Sequence, residues 1–160
     1  MNARGFTLVE ILVVIVILAV AAGVAVTALG PDDARAARRE ARRAASAIEY
    51  AATRAVQRAE TLGVDAAGSE LRFWRRNDDG QTWTLVAGDD VLAARRLPAP
   101  LDIEPATYAG RLLAAHTLVP LRPSGRNEPA SFLLRAPGLT LVVALDPLNR
   151  TSVTEVSATP

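Results

Sequence analysis

The sequence predicts an α+β protein in which a long N-terminal α-helix packs on an antiparallel β-sheet domain. Three observations carry that expectation. The run from Ile11 to Val26 holds no polar side chain. The alanine-rich stretch from Ala34 to Leu62 lacks Gly and Pro and repeats its apolar positions at steps of three and four. Beyond Gly63 the period drops to two, with turn residues between short alternating runs.

With Phe6–Glu10 in front and Thr27-Ala28-Leu29 behind, the apolar run becomes a helix of about 20 residues, enough at about 1.5 Å per residue to cross a hydrocarbon core of about 30 Å. A soluble domain of this size has no use for a helix that is apolar all round. Three readings compete: a plain anchor, a secretory signal peptide with small residues such as Ala19, Ala21 and Ala25 near its end, and a segment cut close to the N-terminus. Four features favour the last. The part before the apolar block is very short (Met1–Gly5), carries one positive side chain, ends in Gly, and is followed by Phe6 and then by a carboxylate, Glu10, inside the block. A charge near the middle of a bilayer costs about 2.5–3.5 kcal/mol, less near the end of a span, and calls for a partner. The partner to expect is the α-amino group of Phe6, which cleavage after Gly5 would free and a neighbouring copy of the segment would present; the desolvated pair would then report axial register.

The run Arg4-Gly5-Phe6-Thr7-Leu8-Val9-Glu10, followed by an apolar helix, resembles the leader of type IV pilins and type II secretion pseudopilins. The resemblance implies that a prepilin peptidase cuts after Gly5 and methylates Phe6, and that Glu10 is the assembly residue. It covers about the first 30 residues. The distribution of Arg opposes it: Arg4 lies on one side of the span, and Arg35, Arg38, Arg39, Arg42 and Arg43 on the other, the reverse of the positive-inside pattern for an exported domain. The cleavage motif outweighs that count.

Gly30-Pro31 interrupts the helix, since Pro lacks an N–H and restricts the residue before it. Asp32 and Asp33 favour a restart at the positive end of a new helix. Ala41, Ala45, Ile48, Ala52, Ala55, Ala59 and Leu62 form one stripe, read as a core-facing surface, and Gly63 is read as the stop. The arginines on the opposite face read as solvated and partly neutralised by Glu40, with lipid head groups as the functional alternative.

Leu71–Arg76, a turn at Asn77–Gly80 and Thr82–Val86 read as a hairpin, with a third strand at Val91–Leu97. The Pro-punctuated stretch 101–130 leaves room for short strands at Leu101–Ile103 and His116–Leu121. Ser131–Arg135, a Pro137-Gly138 turn and Leu139–Leu145 read as a pair, followed by a last strand from Arg150 to Val156. Trp74 shares a face with Arg72 and Arg76, placing it to stack on an arginine; Trp83 is expected in the core. The run from Leu71 to Trp83, with Asp89–Leu92, Arg95–Pro98, Pro123–Arg126 and Phe132–Gly138, is similar to minor pseudopilin H of type II secretion. That resemblance implies a pilin-like fold with two sheets, divided into a leader at 1–5, a membrane or filament-core helix at 6–30, an amphipathic helix at 31–63 and a periplasmic β domain at 64–160.

The composition argues against chemistry. The absence of Cys excludes disulfides, a thiol nucleophile and thiolate metal sites. His116 stands alone, and no Gly-x-Ser-x-Gly elbow or phosphate-binding Gly loop is present. The pairs Asp32-Asp33, Asp78-Asp79 and Asp89-Asp90 fall at expected caps and turns, and no calcium loop maps onto the chain. A net charge of +1 gives no field toward nucleic acid. The expectation is a structural subunit without cofactor or catalytic site. The resemblance implies a single-pass protein of the bacterial inner membrane whose domain lies in the periplasm and which joins a short filament near its tip. The partners it implies are other pseudopilins, the prepilin peptidase, inner-membrane lipid and an assembly platform with its motor ATPase. Two alternatives stay open: a minor pilin of a type IV pilus, serving adhesion or DNA uptake, and a periplasmic binding domain exported by an ordinary signal peptide.

Overall fold

The computed structural model describes residues 31–156. Helix α1 spans Pro31–Gln57, about 40 Å of axis. Pro31 fits the first turn, where its missing N–H would have no partner, and Asp32 and Asp33 lie where the helix dipole favours negative charge. The expected stripe is buried: Ala37, Ala41, Ala44, Ala45, Ile48, Ala51, Ala52 and Ala55 are all within the core. Its small side chains let the sheets approach the helix closely.

The helix stops earlier than the sequence predicts. Ala59 adopts the left-handed conformation (φ 52°), its N–H bonds to the carbonyl of Val56, and the N–H of Glu60 reaches back to the carbonyl of Ala55. This pair of bonds is a Schellman ending, built on alanine where glycine is usual. Ala59 is therefore exposed instead of continuing the stripe, and Leu62 is buried in a strand. Gly63, read as the stop, lies inside that strand, β1 (Leu62–Ala67). It is needed there for proximity: a Cβ would lie 2.8 Å from Leu118 and 3.0 Å from the Trp83 ring.

The first sheet contains β1, β2 (Glu70–Arg76), β3 (Trp83–Leu85), β4 (Arg95–Arg96) and, from farther along the chain, β7 (Val119–Leu121). Its path is β3-β2-β1-β7, with β4 also on β2. The expected hairpin is β2–β3, in register Trp74↔Leu85 and Arg76↔Trp83. The expected third strand shrinks to the two residues of β4, and the strand at His116–Leu121 to β7, because a turn at 114–117 places His116 at φ 62°. Trp83 is half-buried under the Arg76 guanidinium, 6.0 Å from its ring, and not in the core as expected.

The second sheet runs β10-β9-β8-β5-β6, all antiparallel: β5 (Asp102–Tyr108), β6 (Arg111–Leu112), β8 (Ala130–Ala136), β9 (Leu139–Leu145) and β10 (Thr151–Val156). β5 extends well past the expected Leu101–Ile103 because Pro105 is accommodated at a register shift between Pro105 and Thr107, where the ladder loses a bond in any case. β8, β9 and β10 match the expected strands to within a residue or two. Their alternation puts Phe132, Leu134, Leu141, Val143 and Leu145 inward, against α1.

Two ties fix the direction of β10. Arg38 bonds Glu155 at 2.9 Å, and the Glu49 carboxylate accepts from the N–H and hydroxyl of Thr151 at 2.9 and 2.7 Å. Between them α1 advances about 16 Å and β10 about 13 Å, so the strand runs antiparallel to the helix and nearly along its axis. The β9–β10 turn, Asn149 with the nearby Gly125, and the close of α1 therefore share the end of the domain opposite Pro31.

Candidate assembly surface

Gly5, Phe6 and Glu10 lie outside the described residues, as do the apolar run and the boundary at residue 30. Among the described residues no helix is long and apolar enough to cross a membrane. The described chain supplies α1 and the surfaces around it.

The outer face of α1 carries Arg35, Arg38, Arg39, Arg42 and Arg43, all exposed. The chain neutralises much of this charge itself. Arg35 meets Asp32 at 3.3 Å and Arg38 meets Glu155. The buried Glu40 carboxylate takes both Arg43 (2.8 Å) and Arg95 (3.3 Å), which ties α1 to β4. The exposed pairs, Arg35–Asp32 and Arg38–Glu155, contribute at most about 1 kcal/mol each, so their role is placement more than stability. Arg39 and Arg42 have no ion-pair partner among the described residues.

A stronger cluster closes the far end of the helix. Arg54, 7% exposed, donates Nε to Glu60 at 2.7 Å and Nη1 to Asp89 at 2.5 Å, and Tyr50 adds its hydroxyl to Asp89 at 3.1 Å. Burial works against the charge of Asp89, but the Arg54 guanidinium and the N–H groups of Leu92 and Val91 hold its carboxyl below the usual range. Burial likewise opposes the charge of Arg54, and its two carboxylates hold it fully protonated. Sequence reading missed this cluster. The available signal was Arg54 itself, the one cation set between the buried Ala51 and Ala55.

Two of the three acidic pairs supply one turn cap each. Asp79 accepts from the Thr82 hydroxyl and from the N–H groups of Thr82 and Gln81, which lowers its pKa; Asp89 caps Val91 and Leu92. Asp32 lies in the first turn of α1. Among the described residues no group of His and carboxylates is arranged to hold a metal ion. His116 is exposed on its turn. On the outer face of the first sheet Arg72 pairs with Asp65 across β1–β2 and lies 5.7 Å from the Trp74 ring, the stacking expected for that face.

A long helix emerging at one end of two antiparallel sheets, with its small-residue stripe buried along its length, defines the pilin-like class of subunit. Residues 40–148 match the family described as type II transport protein GspH, and residues 1–26 match the prokaryotic N-terminal methylation motif. Because the first match covers most of the chain, the protein belongs to the GspH family, the minor pseudopilins of type II secretion. That settles the choice the sequence left open between a pseudopilin and a type IV minor pilin.

Similar folds are seen in two structures of the minor pseudopilin EpsH from the type II secretion system of Vibrio cholerae. One has a TM-score of 0.56 and 14% identity, over 78% of this chain and 98% of that one; the other has 0.59 and 13%, over 79% and 96%. The solution structure of Escherichia coli GspH is similar at a TM-score of 0.53 and 21% identity, over 78% and 92%. No curated protein matches the chain significantly. The family is a structural one, and membership implies assembly with other pseudopilins. Family and motif together are consistent with a subunit anchored in the inner membrane with its domain in the periplasm.

Proposed function

We propose that this chain is cut after Gly5 by the prepilin peptidase, methylated at Phe6 and built into the type II secretion pseudopilus at or near its tip. The observation that carries the reading is the order of the two matches on one chain: the methylation motif at 1–26 precedes the domain match at 40–148, whose first residues lie on α1. In this reading residues 6–30 span the inner membrane once and then exchange lipid for neighbouring helices, while α1 and the β domain beyond it stay periplasmic. Glu10 takes the α-amino group of Phe6 of an adjacent subunit and so sets register. The force for extraction comes from the assembly platform and its motor ATPase, because the chain offers no nucleotide motif. The subunit is structural and carries out no catalysis.

Mass spectrometry of the protein extracted from its native membrane tests the processing step. A mature chain beginning at N-methylated Phe6 is expected. A start near Ala22–Ala28 would mean an ordinary signal peptide, and an intact Met1 in a strain with active peptidase would leave a plain anchor. Glu10→Ala tests assembly: the variant should be processed and inserted yet absent from filaments, and normal incorporation would remove Glu10 from the mechanism.

A further inference from the structure

The end of the domain opposite Pro31 holds a cavity of about 560 Å³, formed where the chain leaves α1 and where the β2–β3 turn folds beside it. Ala59 is the only apolar side chain among its lining residues, so an apolar ligand has nothing to bury against. Three arginines line it: Arg58 just past α1, and Arg75 and Arg76 at the end of β2. None of the three has an ion-pair partner among the described residues, although most of the other arginines of the domain do. Of the two carboxylates in the lining, Glu60 is already committed to Arg54, which leaves Asp78 to face three guanidinium groups. Arg76 is held over the Trp83 ring, so its fork is pre-oriented. The buried Arg54–Glu60–Asp89 cluster fixes the adjoining wall. Arginine is among the residue types enriched at the energetic centres of protein interfaces, and its guanidinium fork matches a carboxylate in bidentate geometry.

We infer that this cavity is a docking site for an acidic peptide segment of a neighbouring protein subunit, its carboxylates held by Arg58, Arg75 and Arg76. Charge complementarity selects the occupant. Position selects the source: the cavity lies at the end of the stalk farthest from the membrane-proximal Pro31, so in a filament it faces the subunit ahead. This last step rests on the filament reading above. The basic face of α1 lies on the opposite half of the helix and serves as an internal comparison of equal chemistry.

Titration calorimetry on the full chain in a non-ionic detergent, with hexaglutamate as the probe, tests the site. Binding that weakens with salt is expected, and Arg75→Gln/Arg76→Gln should reduce the affinity at least about tenfold, the equivalent of about 1.4 kcal/mol. Arg39→Gln/Arg42→Gln, which removes the same charge elsewhere, should leave it within about twofold. An absence of binding, or equal loss in both double variants, would overturn the site. So would inorganic phosphate binding as tightly as hexaglutamate, which would make the cavity a small-anion site. In cells, Arg75→Glu/Arg76→Glu should block filament growth while leaving processing intact, and normal growth would overturn the subunit-docking role. The mass-spectrometric start site separates the two readings: a mature chain starting near Ala22–Ala28 removes the filament but not the peptide site, whereas failed hexaglutamate binding removes the peptide site alone.

Discussion

Replacing Arg54 with Met keeps most of the side chain's apolar stem and removes its guanidinium. Glu60 and Asp89 would then face each other at the close of α1, each with a side chain 10–15% exposed and no cation between them. Two charge-assisted hydrogen bonds are lost, each with a net contribution of about 1.5–3 kcal/mol, and breaking a buried ion cluster by removing one member costs about 3–5 kcal/mol. Partial exposure of the carboxylates lets water return, so the lower end applies, about 3 kcal/mol. For a domain of this size that is a fall in Tm of about 10 °C. The assay is thermal unfolding, followed by circular dichroism, of a fragment beginning at Pro31, which contains every described core residue. The companion variant is the neutral triple Arg54→Met/Glu60→Gln/Asp89→Asn, expected to recover more than half of the loss because no unpaired charge remains. A loss below about 1 kcal/mol in the single variant, or no recovery in the triple, would refute the view that this cluster is a desolvated network.

Two further outcomes follow from the same structure. Gly63→Ala drives a Cβ to 2.8 Å from Leu118; overpacking of this kind costs about 1–3 kcal/mol, visible as a lowered Tm, and an unchanged Tm would mean that Leu118 swings aside freely. Acid should also unfold the domain: hydrogen bonds lower the pKa of Asp79 (chiefly from the Thr82 hydroxyl) and of Asp146 (chiefly from the Arg150 N–H), while at Asp89 the Arg54 bond overcomes burial. Below pH of about 4 the unfolded chain takes up protons that the folded one refuses, so stability present above that pH is lost as pH falls through the depressed values. Urea midpoints between pH 6 and 3 should decline in that window, and a flat profile would contradict the assignment.

Sequence periodicity located the helix stripe by its steps of three and four, and the three C-terminal strands by their alternation and by the strong turn residues that separate them, Gly138 and Asp146-Pro147. It failed at residues 58–67 for a definite reason. Ala59 ends the helix in a conformation usually left to glycine, so no local signal marks the stop, and the nearest glycine, Gly63, is required by Leu118 far along the chain. β1 then reads Leu-Gly-Val-Asp-Ala-Ala, with no period-two alternation to mark it, because every residue from Leu62 to Ala66 is buried. The Arg54 cluster joins positions 6 and 35 residues apart, a separation no periodicity reveals. At the N-terminus the residues themselves show only that Glu10, a carboxylate inside an apolar run, is costly in a membrane unless a partner meets it; the roles of Gly5, Phe6 and Glu10 come from the resemblance and belong to the proposal.

The antiparallel lay of β10 along α1 has a mechanical consequence. A pull or push along the helix axis passes into the second sheet parallel to its strands, so the β9–β10 ladder is loaded in shear. All of its hydrogen bonds then resist together instead of opening one after another. The ties at Arg38–Glu155 and Glu49–Thr151, one near each end of the strand, spread that load over the whole length of contact. A subunit moved axially as part of a growing filament would carry its domain as a rigid load, and force spectroscopy along the helix axis should meet higher resistance than peeling β10 away from β9 starting at Val156.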